Sequence, residues 1–164
     1  PEDAQKIRKD PLFVQRCVHE SLRLHPSSPI AKRKPVCPVH LPTGESVAGD
    51  DTVVIDLFNA NRQTATFGAD ATEFNPYRTL PGTLPPYGIT FGVGIHTCLG
   101  RNLAAGDLAK ANTNPDTHQY GTITLIARAL IANDVRPDPA NAPKREPNIA
   151  REAWATYPVL IGPA

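Results

Sequence analysis

Phe91-Gly92-Val93-Gly94-Ile95-His96-Thr97-Cys98-Leu99-Gly100-Arg101-Asn102-Leu103-Ala104 sets one cysteine in a loop punctuated by three glycines. Gly92, Gly94 and Gly100 let the backbone turn tightly and approach something flat and close. The residues behind the cysteine (Leu99, Arg101, Asn102, Leu103, Ala104, Ala105) are mostly good helix formers. They predict a helix with Cys98 at its N-terminus, where free N–H groups and the positive end of the dipole stabilise an anion. The sulfur is set up to be a thiolate.

Several uses of a thiolate compete. No second cysteine stands two or three residues away, so a zinc knuckle and a Cys-x-x-Cys redox pair lack their basic requirement. A nucleophile needs a base. His96 is near, but alternate side chains of an extended turn need not converge and no orienting acid follows. A lone anionic sulfur in a Gly-rich loop also suits an axial ligand to haem iron. A buried structural cysteine beside a turn is the plain alternative.

Outward from the loop, Phe91-x-x-Gly94-x-His96-x-Cys98-x-Gly100 resembles the haem-ligand loop of the cytochrome P450 family. Glu20-Ser-Leu-Arg23 resembles that family's Glu-x-x-Arg, and Phe74-Asn-Pro76-Tyr-Arg78 its Phe-x-Pro-x-Arg. Each motif is weak alone. Three in the family's order and at family-like separations are specific, and they cover the C-terminal part of such a protein. The resemblance implies an α+β, mainly helical fold, with a Glu-x-x-Arg helix, small β-sheets, a cysteine-ligand loop and an interrupted proximal helix. It implies haem b on the Cys98 thiolate, with Phe91, Gly92, Gly94, His96, Gly100, Ala104 and Arg33 around it. His96 and Arg33 would pair with haem propionates, although Lys32 and Lys34 compete with Arg33 for that place. Phe91 would shield the sulfur.

Asp10-Pro11 predicts a helix start, an N-cap acceptor followed by proline at the first helical position. Pro26 and Pro29 end that helix near His25. Phe13, Cys17 and Leu24 form its apolar stripe with Glu20 at the edge, and Arg23 is one turn on. By itself this is a surface i,i+3 pair worth a few tenths of a kcal/mol. The resemblance instead implies a structural network of Glu20, Arg23 and Arg78 that locks the fold near the haem. Residues 1–9 are polar and without periodicity, which predicts a loop.

Residues 30–60 predict strands and turns, with turns at Thr43-Gly44 and Gly49-Asp50 and a β-prone run from Thr52 to Phe58. Asn59-Ala-Asn61-Arg62 also matches the family. Pro81, Gly82, Pro85, Pro86 and Gly88 predict an irregular meander over 79–90. After Ala105 the chain departs from the family, in which one long helix continues. Gly106-Asp107 and the polar segment Ala111 to His118 interrupt it. By the resemblance this insertion lies on the proximal side, where redox partners dock. Helical spacing returns over Thr122 to Asn133 through Ile123, Leu125, Ile126, Ala129 and Leu130. His118 reads as an ordinary exposed loop histidine. Residues 134–150 predict a proline-rich loop, and Arg151 to Ile161 a final strand or hairpin arm with Trp154, Tyr157 and Val159 packed inward.

With 164 residues the chain has the length of one domain, read here as a single partial domain, 1–164. Seventeen basic and 16 acidic residues nearly cancel, which gives no hint of a nucleic-acid partner. Cys17, Cys37 and Cys98 are an odd, widely spaced set, against a disulfide scaffold and for a reducing compartment. No run of about twenty apolar residues spans a membrane, and the expected location is cytoplasmic. With no methionine and a Pro-Glu-Asp start, the expectation is a fragment or processed piece.

The reading is a haem-thiolate monooxygenase, oxidising a small organic substrate with O2 and electrons from a ferredoxin or flavoprotein reductase. No catalytic residue beyond the ligand is identified in this segment, and little turnover is expected from the chain alone. A haem-thiolate sensor of gas or redox state, or an inactive truncated remnant, are the alternatives. An acid–alcohol pair on a long upstream helix would favour the enzyme.

Overall fold

The structure is a computed structural model describing residues 2–149 and 153–163. It begins with a helix where the sequence predicted a loop: α1 spans Glu2–Lys9. Glu2 and Asp3 sit in its first turn and Lys6, Arg8 and Lys9 in its last, so both ends complement the helix dipole. Tertiary contacts hold the rest. The Lys6 ammonium lies over the rings of Phe13 and Tyr77, and Arg8 pairs with Asp134 at 2.5 Å. The Tyr77 hydroxyl donates to Asp3 at 2.5 Å, and that bond pushes its pKa up to about 12.

Asp10 joins α1 to α2 (Pro11–Leu24), and its carboxylate accepts the Leu12 and Phe13 amides at 3.0 and 3.1 Å. Pro11 follows at the first helical position, where a missing N–H costs nothing. α2 is buried far more widely than a stripe. Phe13, Val14, Val18 and Leu24 enter the core, and Gln15, His19, Glu20 and Arg23 are buried with them, while Cys17 is half-buried. Leu57, Phe67, Ala71, Tyr87, Ala105 and Tyr120 complete the core around this helix.

β1 (Ile30–Arg33) pairs antiparallel with β4 (Val53–Asp56), setting Arg33 opposite Val53. Between them β2 (Val39–His40) and β3 (Ser46–Val47) make a small hairpin. The β-prone run is cut short. Asp56 accepts the Asn59 amide and caps α3 (Leu57–Ala60), so Leu57 and Phe58 are helical. α4 (Thr64–Phe67) follows, and residues 79–90 form the meander without regular structure.

A 3₁₀ turn, Gly94–His96, and α5 (Arg101–Ala105) frame the cysteine. The insertion runs from Gly106 to Gly121, and α6 (Thr122–Ala132) resumes the helix. Its two ends touch: a Cβ on Gly121 would lie 2.2 Å from the Gly106 nitrogen. Asp107 N donates to Gln119 O at 2.9 Å, and Thr122 Oγ1 to Leu103 O at 3.0 Å. Gln15 seals this mouth from α2, its Nε2 lying 3.0–3.2 Å from the carbonyls of Ala105, Asp107 and Tyr120. His118 is therefore not an ordinary exposed loop histidine. It is half-buried, donates to Gln15 Oε1 at 2.9 Å and lies edge-on to Tyr120. On α6, Thr124 is the buried residue, and Ile123, Leu125, Ile126 and Leu130 are exposed.

Residues 134–149 are not loop throughout. β5 (Arg136–Pro137) pairs with β8 (Val159–Leu160), and β6 (Lys144–Arg145) with β7 (Trp154–Thr156). The returning arm was expected, but Trp154, Tyr157 and Val159 are exposed. Trp154 lies edge-on to Tyr157 and under the Arg145 guanidinium, partners supplied by the arm itself. Arg151 and Glu152, the expected start of that arm, fall outside the described residues. The three cysteines carry free thiols. Among the described residues no helix is long and apolar enough to cross a membrane.

Because regular elements are short, arginines brace the irregular backbone. Arg23 donates to the carbonyls of Asn61, Ala71 and Glu73. Arg62 serves Leu24 and Phe58, Arg78 serves Phe67, Asp70 and Glu73, and Arg136 serves Asp134, Gly162 and Pro163.

Two buried groups on α2 make stability depend on pH. Burial lowers the His19 pKa, opposed by its hydrogen bond to Ala105 O and aided by the nearby His118. Burial alone would raise Glu20, but the Arg23 hydrogen bonds, the Asn75 amide and the charges of Arg23 and Arg78 bring it below the usual value. Both folded pKa values are depressed, so the unfolded chain binds more protons and stability is lost as pH falls. The expected loss starts below about pH 6.5, where unfolded histidine protonates, and deepens below about pH 4.5 as Glu20 joins. Urea midpoints from pH 8 to 4 check this. A flat profile would mean that neither group is coupled to folding.

Candidate functional site

The loop around Cys98 closes on itself. Cys98 N donates to Phe91 O at 2.8 Å, Thr97 N to Gly94 O at 3.1 Å, and the Thr97 hydroxyl to the same carbonyl at 2.8 Å. Gly92 N reaches back to Ile89 O at 2.9 Å, tying the loop to the meander. Gly92 has φ +70°, and a Cβ there would press within 3.0 Å of His96 O, so the loop is packed on that inner side. At Gly94 a Cβ would meet nothing within 4 Å, so the other side is open.

Cys98 is exposed, which removes the reading of a buried structural cysteine. Nor is it the residue that caps the helix. α5 has only five residues and is capped by Gly100, with Cys98 two residues earlier and its carbonyl accepting Arg101 N at 3.2 Å. The helix behind the cysteine is interrupted where the sequence predicts, Gly106 ending it at once with φ +76°. Gly100 lies beside the sulfur, its Cβ position 3.9 Å from Sγ. Ala104 is half-buried in α5, donating its amide to Gly100 O at 2.9 Å.

Val93, Ile95, Leu99 and Leu103 are exposed beside this sulfur in the chain, Ile95 at 96 %. So many large apolar side chains left uncovered in one short stretch mark a surface made to be covered. A haem fits this donor chemistry: an exposed cysteine that can ligate iron, in a loop whose uncovered apolar side chains suit a flat, largely apolar ring.

The other expected ring contacts lie on separate elements. His96 is exposed at the end of the 3₁₀ turn. Arg33 is half-buried at the end of β1, its guanidinium bonded to Lys32 O at 2.8 Å, while Lys32 and Lys34 are exposed. Phe91 is half-buried and lies edge-on to Tyr87 at 5.1 Å, and Tyr87 is edge-on to His19 at 5.3 Å. Its ring thus leans on α2 through Tyr87.

Glu20, Arg23 and Arg78 are brought together and buried. Arg23 donates to both Glu20 oxygens at 2.8 and 2.7 Å, and Arg78 Nε lies 3.3 Å from Glu20 Oε1. Asn75 N adds a third donor to that oxygen at 3.0 Å. The isolated surface pair is excluded: Arg23 is 0 % and Glu20 3 % exposed. Two members were not assigned to this network from the sequence. Asp70 pairs with Arg78 at 2.6 Å, and nothing in its polar loop singled it out. Asn61, fully buried, links α2 to the meander; its place beside Arg62 in a family-like stretch was the available signal.

Comparisons with known proteins agree on what this chain is similar to. The family model described as Cytochrome P450 matches residues 2–110, stopping inside the insertion. The alkane hydroxylase MAH1 of Arabidopsis thaliana is 34% identical over 109 residues, covering 63% of this chain and 21% of its own length. The cytochrome P450 monooxygenase mpaDE of Penicillium brevicompactum is 30% identical over 176 residues, covering 93% of this chain and 20% of its own. The chain spans about a fifth of the length of these relatives. In structure, a mutant of P450 EryK in complex with erythromycin B superposes on the whole chain with TM-score 0.73 at 23% identity, over 37% of its own length. That likeness carries past residue 110, through the insertion and the paired strands.

Proposed function

The chain belongs to the cytochrome P450 family, and from that premise we propose that it forms the haem-thiolate side of a monooxygenase acting on a small organic substrate. The observation that carries this is an exposed Cys98 in a hydrogen-bonded loop whose neighbouring apolar side chains are uncovered. Haem b, when bound, supplies the activation of O2 and the insertion of one oxygen atom into a C–H bond or similar group. Electrons would come from a ferredoxin or a flavoprotein reductase.

The residues divide the work. Cys98 would hold the haem iron through its thiolate. Gly92, Gly94 and Gly100 would let the ring approach the backbone, and Phe91 and Ala104 would offer it apolar surface. His96 and Arg33 offer cations for propionate carboxylates, the stronger kind of hydrogen bond. Glu20, Arg23 and Arg78 tie α2 to the backbone between Asn61 and Asn75, a structural part that supports the loop.

Ferrous haem-reconstituted chain exposed to CO tests the proposal. A strongly red-shifted Soret band of the thiolate-ligated kind is expected, with complete loss in Cys98→Ser. A band typical of histidine-ligated haem in the unmodified chain would count against Cys98 as ligand, as would a thiolate band surviving the substitution.

A further inference from the structure

The last turn of a helix leaves its carbonyls without intrahelical partners. At the end of α2 three of them are taken by groups that converge from one place. Leu22 O accepts the Thr90 hydroxyl at 2.8 Å, Arg23 O accepts Asn61 Nδ2 at 3.1 Å, and Leu24 O accepts the Arg62 guanidinium. Asn61 is fully buried and satisfied on every side. Its Nδ2 also donates to Thr90 Oγ1 at 2.9 Å, its Oδ1 accepts the Ile89 amide at 2.9 Å, and its own carbonyl accepts Arg23 Nη1. The fit is close: a Cβ on Gly88 would fall 2.2 Å from Asn61 Oδ1.

What this clamp grips is the root of the cysteine loop. Ile89 and Thr90 immediately precede Phe91, whose carbonyl receives the Cys98 amide, and Ile89 O receives Gly92 N. One carboxamide therefore fixes the end of α2, which carries Arg23, to the strip of backbone that closes the loop. We infer that Asn61, working through Thr90, is a positioning residue for Cys98: it holds Ile89 to Phe91 against the end of α2 and so keeps the Phe91–Cys98 closure at the height a ligand requires. Loop placement is read from the chain alone; only the consequence for haem rests on the function proposed above. Asn61 touches neither the sulfur nor the ring.

The test uses the 164-residue chain without haem and the variants Asn61→Ala, Thr90→Val and Thr90→Ser. Thr90→Val keeps the shape and removes the hydroxyl, while Thr90→Ser keeps the hydroxyl. Amide hydrogen exchange of Ile89 and Cys98 is expected to speed up about tenfold in Asn61→Ala and Thr90→Val, the scale of one lost hydrogen bond. The amides of α2 should hold their rates, and Thr90→Ser should restore Cys98. Unchanged exchange at Cys98 in both variants overturns the inference. So does equal acceleration throughout α2 in both, since the clamp would then serve stability alone. If Asn61→Ala fails to fold, Thr90→Val decides.

Haem-loaded protein gives a second readout. In Asn61→Ala and Thr90→Val the fraction of ferrous–CO complex with the thiolate band should fall at least about threefold, in step with the looser closure, and Thr90→Ser should recover it. An undiminished fraction in both variants would overturn the step from loop height to ligation. If the unmodified chain shows no thiolate band, the proposed function fails, and the exchange data still judge the clamp.

Discussion

Arg23→Ala is expected to cost about 3–5 kcal/mol, the loss seen when one partner of a buried ion pair is removed. Set against the 5–15 kcal/mol that typically holds a domain together, that is enough to leave much of the chain unfolded. Three losses combine. Glu20, 3 % exposed, would keep only Arg78 and the Asn75 amide as donors, with Arg78 at the longer distance of 3.3 Å. The carbonyls of Asn61, Ala71 and Glu73 would each lose an N–H. The Phe67 ring would lose the guanidinium lying 4.9 Å from its centre. Arg23→Lys should recover less than half of the loss, because a single ammonium cannot reproduce a planar fork that meets both carboxylate oxygens and three carbonyls. Urea unfolding at pH 7 measures both. A loss below about 1 kcal/mol in Arg23→Ala would mean the network merely breaks even against its desolvation.

Gly121→Ala is expected to be nearly as damaging, for a different reason. Gly121 has φ +77° and ψ 157°, a region that is essentially glycine's alone and costs other residues about 1–3 kcal/mol. The new methyl would also sit 2.2 Å from Gly106 N, 2.5 Å from Ala105 C and 2.7 Å from Ala104 O. These are backbone atoms and cannot swing aside. The mouth of the insertion must open, and Gln15 then loses the carbonyls it gathers there. A total near 3–4 kcal/mol follows from adding the lost hydrogen bonds to the strain. Proteolysis within 107–120 should speed up alongside. Gly44→Ala is the control: φ is +92° and nothing lies within 4 Å of its Cβ, so it reports the conformational part alone. Equal losses in the two variants would show that the close approach at the mouth contributes nothing.

The sequence is most legible where a single residue decides the outcome. Asp10-Pro11 and Pro26 bracket α2 because an acceptor, a fixed φ and a clash each act locally. Gly106 marks the start of the insertion for the same reason, and Thr122 begins α6 as its apolar spacing predicts. What escapes reading is held by distant partners. α1 has no buried residue and owes its place to Phe13, Tyr77 and Asp134. Leu57 and Phe58 favour strand by composition and become helical because Asp56 caps them. His118 needed Gln15, more than a hundred residues earlier, before its position meant anything. At the site the loop was legible from glycine spacing. Its exposure and its clamp through Asn61 were not, since neither leaves a local periodicity.

The arginine braces carry a consequence for which changes the chain will tolerate. An arginine-to-lysine exchange keeps charge and length and is ordinarily among the mildest. At Arg23, Arg62, Arg78 and Arg136, however, the guanidinium spans two or more carbonyls of separate turns, and an ammonium is a point charge that reaches fewer of them. A scan of all single substitutions would therefore find its map inverted at these four places. The swap that looks most conservative on paper would rank with core truncations, and many apolar changes on the outer face of α6 would pass unnoticed.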